Sequence, residues 1–168
     1  MYATYLWQES SEDDRTDSLM MLQEYVGSVS VYKEQIDIEI AGMFLTYWSN
    51  KFLSDWQEQK DLRFSQSPKQ FAQRRSRLVD EGHKIYALSQ KVFQFARTTS
   101  LSKLSPGARQ NLSSGFYRVV DVLFRLHKYN EAIEYCDHFM NEPSNVSFAN
   151  KRRWILSFKN KPRPLPPQ

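Results

Sequence analysis

The sequence holds a single cysteine, Cys136, in 168 residues. One cysteine excludes an internal disulfide framework and any cysteine-rich zinc site, and a reducing compartment is the simpler reading. Glycine is scarce as well, with 5 residues, and four of the 7 prolines fall in the last seven positions. A body so poor in turn formers does not build a fold of short strands and tight turns. Aromatics, by contrast, reach 14%, enough to pack a helical core. A secretory signal is not expected from Met1-Tyr-Ala-Thr-Tyr-Leu-Trp-Gln-Glu9, which has no Lys or Arg and whose apolar stretch breaks within a few residues. Long hydrophobic runs are missing too. The densest, Ile38 to Trp48, contains Glu39 and is about half of the ~20 residues that a membrane span requires. The expectation is one soluble, intracellular, cytoplasmic domain with no membrane partner, nuclear if eukaryotic and nucleic-acid-binding.

Charge is abundant and segregated. The net +4 averages residues 1–62, with 12 acids and 4 bases, and residues 63–168, with 7 acids and 19 bases, so the two parts carry −8 and +12. Such blocks fit contact between the two regions, within one molecule or between neighbours, that sets register and partner choice.

Apolar spacing reads as helix nearly throughout. The polar, acidic lead-in of residues 1–16 supplies an N-cap from Asp14 or Thr16, and Leu19, Leu22, Val26 and Val29 then share one helix face. Residues 28–41 carry two competing patterns. Val29, Val31, Ile36, Ile38 and Ile40 alternate between Gly27 and Gly42 as in a small hairpin, whereas Ile36, Ile40, Met43, Phe44 and Tyr47 fit a helical period that Trp48, Phe52 and Trp56 extend to about Leu62. An isolated hairpin is marginal in water, which favours one long helix.

Ser67-Pro68 and Ser105-Pro106 are helix starts, the serine capping and the proline losing no bonded N–H. After the first, Phe71, Leu78, Ile85 and Val92 recur every seven residues, and Leu88 and Phe95 add intermediate positions that Arg74 and Glu81 break earlier on, so the second half should be better buried. After the second, Leu112, Phe116, Val119 and Leu123 form a buried stripe. Asn130 is a candidate cap for a short helix ended by Pro143, and a last helix near Ser147 to Phe158 should bury Trp154, Ile155 and Phe158. The prediction is an all-α bundle or array of five to six helices over residues 1–160, with an extended Pro-rich tail at 161–168.

Within residues 116–143, the core Leu126-His-Lys-Tyr-Asn-Glu-Ala-Ile-Glu-Tyr135 resembles the helix–turn–helix centre of a tetratricopeptide unit, departing from that family at Val120, Phe139 and Pro143. Leu126 and Tyr129 would close the first helix onto the turn, and the small Ala132 would let the second approach it. The resemblance implies protein–protein binding without catalysis. Arg163-Pro-Leu-Pro-Pro167 is similar to ligands read by SH3-type domains, which implies docking of that tail. Arg77 and His83 resemble in spacing the Arg/His element of the HEPN ribonucleases, but lie about 120° apart on a helix of ~3.6 residues per turn.

Metal-ligand and catalytic spacings are absent: His83, His127, His138 and Cys136 form no His-x-x-x-His or Cys-x-x-Cys pair, and no phosphate loop or nucleophile elbow occurs. No cofactor is expected. The leading expectation is a non-enzymatic α-helical interaction module, an adaptor or subunit of a larger assembly that binds a protein partner or a second copy of itself. Trp48, Phe52 and Trp56 would form its apolar patch, and Arg74, Arg75 and Arg77 would meet an acidic partner. The alternative is a nucleic-acid-binding accessory protein using the basic faces of residues 69–84 and 151–163, with Lys151, Arg152 and Arg153 in the second.

Overall fold

The computed structural model describes residues 34–142 and 147–161. The acidic lead-in, the helix over Leu19 to Val29, the Pro143 stop and the Pro-rich tail beyond Lys161 lie outside these residues.

The fold is all-α, with five helices and no strand among the described residues: α1 (Glu34–Asp61), α2 (Pro68–Thr98), α3 (Pro106–Arg125), α4 (Tyr129–Phe139) and α5 (Phe148–Lys159). From Glu34 on, the ambiguous segment is helical, so Gly42 does not bracket a hairpin there. It lies within α1, where the helix backbone meets that of α3.

Local chemistry sets the helix starts. Ser67 and Gln70 form a reciprocal capping box with Pro68 in the first turn, and the Ser105 hydroxyl accepts from the Ala108 N–H. Ser147 caps α5 by accepting from the Asn150 N–H. The expected Asn130 cap does not form: α4 begins at Tyr129 with Lys128 in the cap position, two residues earlier, and the Asn130 side-chain oxygen accepts from Lys159 Nζ at 2.6 Å instead. α3 ends with His127 at φ 59°, in the left-handed region that favours glycine, while the Lys128 N–H bonds back to the Leu123 carbonyl.

α3 is the central element and packs on all four others, most extensively on α1. Phe116, Val119, Val122 and Leu123 are fully enclosed between the surrounding helices. Successive helices reverse direction: Phe52 of α1 and Leu126 both reach Gly82 of α2, and Phe93 of α2 meets Phe116 of α3 and Tyr135 of α4. In α2 the buried residues run from Leu78 to Ala96, whereas Arg74 and Glu81 are exposed, so its second half is the enclosed one. α5 closes the array against α4 and α3 through Phe148 and Ile155.

Candidate interaction surface

The two predicted surfaces are only partly available. Phe52 is 2% exposed and inside the core, which removes it from any apolar docking patch. Trp48 and Trp56 are half-buried and packed against that core. The cause is helix phase: Phe52 lies on the α1 face that meets Gly82 of α2, and the enclosed ring leaves no free face.

Of the first basic cluster, Arg74 and Arg77 are exposed and line a groove of about 210 Å³ between α1 and α2, facing Asp55, Glu58 and Glu81 over a floor of Leu62 and Leu78. Burial, and then the nearby Asp55 charge, push the Glu81 carboxyl above its ordinary value, against the pull of Lys51 and Lys84. Carboxylates of the acidic third therefore line the same groove as these two arginines. His83 is exposed. Arg75 behaves differently. Its guanidinium stacks 3.3 Å over the Trp56 ring, a cation–π contact.

The second basic cluster is mostly consumed inside the fold. Lys151 Nζ donates to Asp121 Oδ2 at 2.6 Å and to the Tyr117 carbonyl. Burial lowers the Lys151 pKa and Asp121 opposes that shift. Arg152 Nε donates to Asp137 across α4 and α5. Lys151 is therefore a structural ion-pair partner rather than a residue free to meet phosphate. Arg153 is exposed.

Apart from Phe64, which is 94% exposed on the turn after α1, exposed aromatic side chains come together where α3, α4 and α5 meet. Trp154 and Phe158, expected in the core, are 43% and 40% exposed. Phe124 joins them, its ring centroid 4.2 Å from Trp154 and 5.2 Å from Phe158, and Trp154 and Phe158 lie 4.9 Å apart. Tyr129 adds a ring 5.5 Å from Phe124. Cations border this cluster. The Arg125 guanidinium sits 5.5 Å over Phe124 and Lys161 Nζ 4.7 Å over Phe158. Arg125 also lies near enough to Arg75 for its charge, after burial, to lower that guanidinium's pKa. Among the described residues none of Arg75, Arg125, Arg153 and Lys161 holds an ion pair. The signal in the sequence was Trp154 and Phe158 one helical turn apart with Lys or Arg on either side.

No group of three or more His, Cys, Asp and Glu among the described residues could hold a metal ion, and no helix among them is long and apolar enough to cross a membrane. Burial pushes the Cys136 thiol up to about 12. No protein family, curated protein or solved structure matches the chain.

Proposed function

We propose that this chain is a non-enzymatic, intracellular protein-interaction module, an adaptor or subunit of a larger assembly. The exposed Trp154 and Phe158, packed on the half-buried Phe124 and bordered by cations that hold no ion pair among the described residues, carry this reading. Trp, aromatic and Arg side chains dominate the binding energy at protein interfaces, where an aromatic anchor is ringed by polar groups. The hairpin of α3 and α4, as a tetratricopeptide-like unit, would present one side of that cluster.

Nucleic acid is the second reading, favoured by the cations beside the exposed rings. Two features weigh against it. Lys151 and Arg152 are engaged with carboxylates. The rings also spend their faces on one another: Phe158 meets Phe124 at 81° and Trp154 at 66°, edge against face, whereas base stacking needs a free ring face.

The test is quantitative capture with the tagged full chain against its Trp154→Asp variant, after nuclease treatment. The expected result is a set of proteins held by the first and lost by the second. Identical capture by both chains would sink the interaction surface. Fluorescence anisotropy with single-stranded and duplex DNA, titrated with salt, decides the second reading: tight, salt-steep binding at low ionic strength, abolished by Trp154→Asp, would make it the better one.

A further inference from the structure

The helices that carry the exposed rings hold more cations than they can neutralise, and the excess sits around the rings. Residues 106–161 contain five carboxylates, from Asp121 to Glu142, and each already holds an ion pair. Arg125, Lys159 and Lys161 have no share in those pairs and meet no carboxylate among the described residues.

A contact places each of the three at the rings. The Arg125 guanidinium lies 5.5 Å over Phe124, and Lys161 Nζ lies 4.7 Å over Phe158. Lys159 Nζ rests on the neutral side-chain oxygen of Asn130, next in the chain to Tyr129, whose ring is 5.5 Å from Phe124. Arg125 and Lys159 also fall in the last turns of α3 and α5. Each helix end offers only about half a negative charge, so the two ends together do not balance three cations. The donors stay open as well. A guanidinium over a ring keeps its N–H groups around its edge, and an ammonium has three, of which Lys159 spends one on Asn130.

The rings set the size of what can dock. Phe124 lies 4.2 Å from Trp154 and 5.2 Å from Phe158, a knob that one large apolar side chain covers. With Arg125 above one ring of that knob and Lys161 above another, a chain extended at ~3.3 Å per residue reaches both with carboxylates within about five residues of each other.

We propose that the occupant of the α3–α5 surface is a short acidic segment of a protein partner, one large apolar anchor seated against Trp154 and Phe158 with neighbouring carboxylates that meet Arg125, Lys159 and Lys161. This rests on reading that surface as a docking site and adds the chemistry that chooses the partner. The anchor supplies affinity. The carboxylates supply selection, because charges at the rim of an interface speed the encounter and turn away basic segments more than they tighten the complex.

The experiment selects a library of random peptides on the full chain at low salt, with the Trp154→Asp chain as counter-selection, and reads the sequences that only the parent retains. The expected set is net negative, each member carrying a large apolar residue with Asp or Glu close by. The tightest of them, made with a fluorophore, should lose about tenfold in affinity for an R125E/K161E chain. Its counterpart with Lys in place of the acids should bind R125E/K161E and not the parent, a gain that a misfolded chain cannot give. A retained set with no acidic bias overturns the proposal, as does an acidic peptide that binds parent and R125E/K161E alike; either leaves the aromatic docking surface standing. Displacement of the peptide by single-stranded DNA at equal concentration overturns it in favour of nucleic acid, and self-association of the parent that Trp154→Asp abolishes does so in favour of a second copy. If no peptide distinguishes the parent from Trp154→Asp, the docking surface falls together with this inference.

Discussion

A methyl group built on Gly115 would sit 2.7 Å from the carbonyl oxygen of Gly42. At Gly42 the crowding is greater, since an added Cβ would lie 2.5 Å from the Asn111 carbonyl carbon and oxygen, all backbone that cannot swing aside. α1 and α3, the most extensively packed pair, thus meet backbone to backbone. Gly42→Ala should cost about 3 kcal/mol and Gly115→Ala about 2, because separating the helices loosens the packing beside them. Gly107→Ala is the control: its nearest neighbour would be 3.8 Å away, and alanine's better helix propensity should give a gain of about 0.5 kcal/mol. Urea midpoints of the three variants check the order.

Lys151 and Asp121 form the least exposed ion pair among the described residues, with side chains 13% and 24% exposed. Lys151→Ala should lower stability by about 2–3 kcal/mol, since it leaves a poorly solvated carboxylate without its donor. The pair Lys151→Met with Asp121→Leu should recover most of that loss, because no charge is left unpaired. Thermal melts of single and double variants give the coupling. A Lys151→Ala chain as stable as the parent would return this residue to the solvated basic face.

What could be read from the sequence follows the range of the interaction that decides each feature. Ser67 and Ser105 cap helices through N–H groups three residues away, and both starts were readable for that reason; Ser147 caps α5 in the same way, at the start that the apolar spacing had placed near it. Asn130 has the same chemistry, but its oxygen is taken by Lys159 on another helix. Lys151 and Arg153 are indistinguishable in a charge run, and only folding brings Asp121 to one of them. Trp154 and Phe158 fit an apolar stripe as well as Ile155 does. Among the described residues, however, α5 packs mainly on α4 and α3, so Ile155 and Phe148 face inward while the two larger rings are left at the rim. Gly42 fits both a strand bracket and a helix, and the choice between them lies in Asn111, far along the chain.

Cys136 is fully buried in α4, and burial pushes its thiol up to about 12. A disulfide reagent such as DTNB should therefore label the native chain at pH 8 only as fast as the core opens, and release one thiol equivalent once denaturant is added. Rapid stoichiometric labelling without denaturant would show that α4 opens independently of the rest.

His138 packs edge-on against Phe93, the ring centroids 5.1 Å apart at 81°. Burial lowers its pKa from the ordinary 6.5; Arg97 adds to that shift, and a bond to the Ala96 backbone with the charges of Glu142 and Glu134 opposes it. The native state therefore holds the imidazole neutral where the unfolded chain already binds a proton. The stability this residue contributes is complete above the unfolded value and falls as pH drops from about 6.5 through the depressed native one. His138→Gln, which cannot titrate, should lose less stability between pH 7.5 and pH 5 than the parent chain does. Denaturation midpoints across that range measure the difference, and parallel curves would mean that the imidazole takes up its proton as readily beside Phe93 as in water.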